Sequence, residues 1–126
     1  MIPYDSSFDP PAPVVDVTII HPTTDRSSSI LRGKLDSGAD VTVIPDKIIS
    51  ELEISPKGYV WVQSYDSSYS RRPVYYVSLS LEGFILPFIR CITNSSTNLL
   101  LGRNVMNHFI IILDGKNLTF ELKDNL

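Results

Sequence analysis

The chain is poor in the side chains that build metal and redox sites. Its 126 residues include one cysteine, Cys91, and two histidines, His21 and His108. A lone cysteine excludes an intrachain disulfide, and no Cys/His cluster has zinc spacing, so no metal is expected. Cys91 lies in the apolar run "FIRCIT", where a packed thiol is expected rather than a nucleophile. His21 reads as a turn residue and His108 as a helix-end residue. Basic residues are also scarce: 11 Lys and Arg stand against 14 Asp and Glu, for a net charge of -3 and a pI near 5.2. That balance argues against nucleic acid as the main partner, because phosphate binding wants a basic patch. Arg71-Arg72 is the only basic doublet and reads as solvated loop charge. No apolar run approaches the length of a membrane span, so no membrane partner is expected. The N-terminal "MIPYDSSFDPPAP" lacks the basic and apolar regions of a signal peptide, so a cytoplasmic location is the expectation.

What is present suits one domain. Hydrophobic residues make up 43% and charged residues 20%, a globular rather than a disordered balance. Residues 1–13 hold four of the nine prolines and read as a flexible or extended arm, with the domain running from 14 to 126. "VVDVTII", "ILRGKLD" and "VTVIP" read as three strands, and "PDKIISEL" as a helical turn opened by its proline. "GYVWVQSYDSSYSRRPVYYVSLSLE" reads as a long hairpin with arms 59–65 and 74–81 and a polar tip at 66–72. Glu82-Gly83 makes the next turn and "FILPFIRCIT" the next strand. "LLLG" is a short strand ended by Gly102, and "RNVMNHF" a short helix. "IIILDGKNLTFEL" reads as a hairpin with an Asp-Gly turn signal. Many short strands and few helical turns predict an all-β, closed-barrel-like domain. "KLDSGADVTVIPDKII" and "LLLGRNVMNHF" faintly echo each other: strand, glycine, helix.

The stretch "KLDSGADVTVIP" places a carboxylate, Asp36, at the end of an apolar strand. As an isolated Asp-Ser-Gly it is a backbone-capping turn. As a calcium loop it lacks oxygen ligands at the alternating positions and the closing glutamate. As a nucleophile elbow for Ser37 it has Leu35 where glycine is needed, and no histidine is obviously recruited. The fourth reading is aspartic-protease chemistry. Two carboxylates in contact cannot both ionise readily, so they share one proton. The ionised one takes a proton from water, and the protonated one supports the peptide carbonyl oxygen. No metal or cofactor is required. Small residues after Asp36 suit this chemistry: Gly38 admits close backbone approach, and Ala39 adds little bulk.

"LDSGADVTVIP" resembles the active-site loop of the retropepsin-like aspartic proteases, the family of retroviral proteases and their cellular and bacterial relatives. The pattern there is apolar-Asp-Thr/Ser-Gly-Ala followed by a short apolar strand. "NLLLGRNVMNHF" is similar to the family's downstream apolar-apolar-Gly-Arg-Asn/Asp segment, where a strand enters the C-terminal helix. The predicted hairpin stands in the place of the family's flap, and the resemblance covers roughly residues 14 to 122. It implies a retropepsin fold with one short C-terminal helix and a flap hairpin. Carried over by residue, Asp36 would be the catalytic carboxylate, Ser37 would send its hydroxyl to the partner subunit's loop, and Gly38 would meet the substrate backbone. Ala39 and Asp40 would border the substrate. Asp40 and Arg103, 63 positions apart, would form an ion pair bracing the loop. Tyr65 and Tyr69 could cover a substrate or be ordinary hairpin aromatics.

The chain has no second Asp-Thr/Ser-Gly, and its length is about half that of a two-lobed enzyme of this class. A homodimer with Asp36 of each copy meeting on a two-fold axis is the simplest answer. The expected activity is hydrolysis of an extended peptide between apolar side chains. Two alternatives stand beside it. One is a non-catalytic dimer that binds extended peptide, favoured by the glycine-free tip "SYDSSYSRRP". The other is a purely structural dimer in which Asp36 caps backbone.

Overall fold

The computed structural model describes residues 1–64 and 66–125. Strand β1 is Ile2–Pro3, β2 Val14–Ile20, β3 Leu31–Leu35 and β4 Thr42–Pro45. Helix α1, Asp46–Glu51, follows directly, with Pro45 as its N-cap rather than its first helical residue. Strand β5 is Gly58–Gln63, β6 Tyr69–Leu81, β7 Phe84–Asn94 and β8 Leu99–Leu101. Helix α2, Arg103–Met106, leads to β9, Ile110–Asp114, and β10, Thr119–Lys123.

Alternation explains the layering. In β2 the side chains of Val15, Val17 and Ile19 are buried while Asp16 is exposed, as a strand with one wet face requires. The main sheet runs β2-β3-β8-β4-β7-β6-β5, and β2 also pairs with β6. That extra pairing closes six strands into a barrel and leaves β5 hanging from β6. The domain is therefore all-β and barrel-like. Its core joins Val17, Ile19, Ile44, Val77, Leu79, Leu99, Leu101 and Val105, all but fully buried. Cys91 is fully buried in the same core. Desolvation pushes its thiol up to about 12, so it stays protonated near neutrality and is no nucleophile.

Three features differ from the sequence reading. The β5–β6 ribbon is longer: Val60 pairs with Arg72 and Gln63 with Tyr69, so the second arm begins at Tyr69 rather than Val74. Arg71 and Arg72 are strand residues, not loop charge. The Arg71 guanidinium lies 4.0 Å from the centre of the Tyr59 ring, and Arg72 Nη1 donates to Thr93 O at 3.2 Å. A ribbon standing off the barrel needs no apolar face, so alternation gave no signal for its outer half. The C-terminal hairpin turns through four residues, 115–118, with the left-handed position at Leu118 instead of glycine. Asp114 accepts from Asn117 N and Nδ2 there, which lowers its carboxyl below the usual value. Residues 1–13 are also drawn into the fold. Ile2 pairs with Phe120, Tyr4 N donates to Leu118 O at 2.8 Å, and Ala12 is buried.

His21 accepts at Nδ1 from Thr23 N and Thr24 N, a turn role. Among the described residues no helix is long and apolar enough to cross a membrane, and no group of three or more His, Cys, Asp or Glu could hold a metal ion.

Candidate active site

Asp36 is the first residue off β3. The strand lies parallel to β8, with Leu35 beside Leu101, and Asp36 N donates to Leu101 O at 2.9 Å. The backbone of the aspartate is thus tied to a core strand. The chain then turns sharply: Ala39 N donates to Asp36 O at 3.2 Å, and Gly38 N donates to Asp36 Oδ1 at 2.9 Å. One carboxylate oxygen is fixed by the loop. The other has no partner among the described residues. Asp36 is half-buried, while Ser37 and Gly38 are exposed.

The second segment clamps this loop from below. Gly102 N donates to the hydroxyl of Thr42 at 3.2 Å, and that hydroxyl donates to Asn104 Oδ1 at 2.9 Å. Asn104 Oδ1 also accepts from Thr42 N at 3.0 Å, and its Nδ2 donates to Arg90 O at 2.7 Å. Arg103 N donates to Ala39 O at 2.8 Å, its Nη1 donates to Ser37 O at 2.9 Å, and its Nη2 meets Asp40 Oδ1. Both side chains of that ion pair are substantially exposed, so its Coulomb energy alone is small. The bonds from one guanidinium to two points of the loop matter more, because they fix geometry. A Cβ on Gly102 would sit 2.7 Å from Val41 C and 2.9 Å from Ala39 O. No side chain fits between the two segments.

Thr42 and Asn104 carry no role in the sequence reading, although both lie within the quoted motifs. Thr42 is fully buried, and a buried hydroxyl needs partners. A polar residue in "VTVIP" where alternation points inward was the available signal.

A cleft of about 720 Å³ opens beside the loop. Gly38, Ala39 and Asp40 of the loop, Val60 to Gln63 of the ribbon, and Arg90 and Ile92 of β7 line it. Tyr69 is 63% exposed and is not on the cleft wall. Tyr65 falls outside the described residues. A second groove of about 540 Å³, bordered by His21, Ile54, Tyr76 and Phe88, contains no residue of the Asp36 loop. Only the first of these two therefore borders the Asp36 loop.

No protein-family model and no curated protein matches the sequence. Solved structures do match the fold. The solution structure of the simian foamy virus (mac) protease is 16% identical, with a TM-score of 0.57 over 75% of this chain and 92% of that one. EIAV protease complexed with the inhibitor HBY-793 is 18% identical, with a TM-score of 0.55 over 76% of this chain and 86% of that one. A foamy viral protease-reverse transcriptase, solved with an RNA/DNA hybrid, is 18% identical at a TM-score of 0.57; the match spans 77% of this chain but 12% of that longer one. The chain has the retropepsin-like fold of these viral proteases.

Proposed function

We propose that the protein is an aspartic endopeptidase whose active site is shared by two copies of the chain. The observation that carries the reading is Asp36 itself: a carboxylate tied to a core strand, with one oxygen bonded within its loop and the other without a partner among the described residues. Such a group is oriented before substrate arrives, which is what acid–base work on a bound water requires. The other carboxylate of the loop, Asp40, is engaged by Arg103 and is no partner for it. A two-fold arrangement supplies the missing one from a second Asp36. The exposure of Ser37 and Gly38 in the single chain fits a surface that a second copy covers.

In the dimer the two Asp36 carboxylates hold one proton between them. The ionised carboxylate accepts a proton from water as its oxygen attacks the peptide carbonyl. The protonated one donates to the carbonyl oxygen, giving a tetrahedral diol. Proton return to the amine then splits the C–N bond, and no cofactor takes part. Gly38 to Asp40 would hold extended peptide by main-chain bonds, as an added strand. The β5–β6 ribbon would act as a flap, bringing Tyr69 toward the substrate as it closes. Ser37 would reach across to the partner loop.

The test is cleavage of a diverse peptide library scanned from about pH 4 to 7, since acid–base catalysis depends on pH. Each pH is run over a series of protein concentrations. Activity per chain is expected to fall about tenfold for each tenfold dilution below the dimer dissociation constant, because the dimer fraction falls in proportion. Constant activity per chain in a protein shown to be monomeric would exclude the shared site. A folded dimer that binds peptides and cuts none would establish the binding-module alternative.

A further inference from the structure

The cleft that Gly38 to Val41 of the Asp36 loop line has an unbalanced charge. Its walls are largely aliphatic, with Val41, Val43, Val60, Val62 and Ile92. Two of its lining residues are ionic, Asp40 and Arg90. Asp40 is neutralised by Arg103. Arg90 is exposed, and among the described residues its guanidinium makes no ion pair and no hydrogen bond. Yet its backbone is fixed: Arg90 O accepts from Asn104 Nδ2 at 2.7 Å, within the network that holds Gly102. A cation is thus rooted on a rigid strand that lines an apolar trough, with nothing among the described residues paired to it.

Filling the trough with peptide removes water from that guanidinium. An unpaired cation in a drying, low-dielectric site is costly, and a cationic ligand makes it worse. A carboxylate offsets the cost and can take two of the parallel N–H bonds. We infer that Arg90 is a specificity-determining residue that selects extended peptides carrying a Glu or Asp side chain beside an apolar segment. The inference rests on the cleft being the peptide site and deepens the proposed function.

The test uses a peptide library with a central apolar pair and one flanking position at a time set to Glu, Gln or Lys. At one position, Glu is expected to raise kcat/KM about tenfold over Gln, with Lys below both. The advantage should shrink as salt rises from about 0.05 to 0.5 M. Arg90→Glu should invert the order to Lys above Glu, and Arg90→Gln should flatten it. The Arg90 side chain bonds to nothing else among the described residues, so these variants are expected to fold. The same labelled peptides are titrated by fluorescence anisotropy onto Asp36→Asn protein, alone and combined with Arg90→Glu. Binding that favours Glu and inverts with Arg90→Glu sustains the inference even if nothing is cleaved, while the protease reading then falls. Equal cleavage or binding of the Glu, Gln and Lys peptides, or an order unchanged by Arg90→Glu, overturns the inference; the protease reading stands if the unsubstituted protein still cleaves them.

Discussion

Asp36→Asn is expected to lower peptide cleavage by on the order of 10³-fold or more, with the fold and the dimer unchanged. The substitution is nearly isosteric. A carboxamide oxygen can keep the bond from Gly38 N that holds the present side chain at 2.9 Å. Asp36 N keeps its bond to Leu101 O, which does not involve the side chain. Stability should therefore stay within about 1 kcal/mol, as for most half-exposed polar changes. The chemistry has no such substitute. An amide neither takes a proton from water nor shares one with its twin, and in a homodimer both copies change together. General acid–base catalysis contributes roughly 10²- to 10⁴-fold per group, and a loss of 10³ corresponds to about 4 kcal/mol of barrier. The measurement is cleavage of the best library peptide beside circular dichroism and sedimentation of the same samples. A variant that unfolds would point to the backbone-capping reading of Asp36. One that still cuts would place the catalytic group elsewhere.

The second large effect is structural. Gly102→Ala is expected to destabilise the fold by about 3 kcal/mol, the upper part of the usual range for overpacking. The backbone conformation is not the cause, because φ of -81° and ψ of -175° are open to any residue. The cause is space. The new Cβ would meet Val41 C at 2.7 Å, Val41 O at 2.8 Å and Ala39 O at 2.9 Å. These are backbone atoms of the Asp36 loop, so no side chain can swing aside. The loop must move, and the bonds from Arg103 N to Ala39 O and from Gly102 N to the Thr42 hydroxyl stretch with it. Cleavage should fall as well, by on the order of 10²-fold for a shift near 1 Å. Urea unfolding reads the stability loss as a lower midpoint at unchanged slope. Protein concentration must be held fixed, because a dimer's apparent stability depends on it. An unchanged midpoint would mean that the two segments are not packed as tightly as the distances state.

The same two segments mark how much could be seen in the sequence. "LDSGADVTVIP" and "NLLLGRNVMNHF" carry their meaning locally: a strand that must end, a glycine that must be small, an arginine set one residue later. Strand positions followed from alternation wherever one face is buried, as in Val14–Ile20 and Thr42–Pro45. Alternation was silent where neither face is buried. The sequence around Tyr69 to Arg72 reads as loop for that reason, and the pairing of Ile2 with Phe120 leaves no mark on a proline-rich stretch. Thr42 and Asn104 were silent for another reason. Their bond joins residues 62 positions apart, and nothing in a short motif announces which distant amide will satisfy a buried hydroxyl. The second carboxylate stands nowhere in this chain, so the sequence points to it only through the missing second motif, as Asp36 of another copy.

The central claim is that one site needs Asp36 from two chains. The direct measurement is the activity of two copies joined by a flexible linker, built with both Asp36 intact or with Asn at that position in one copy. The account predicts that the intact linked pair cleaves peptide without loss on dilution, and that the pair with one Asn is as inactive as the pair with two. A linked pair with one Asn that retains about half the activity would mean that each chain works alone, and would contradict the shared site.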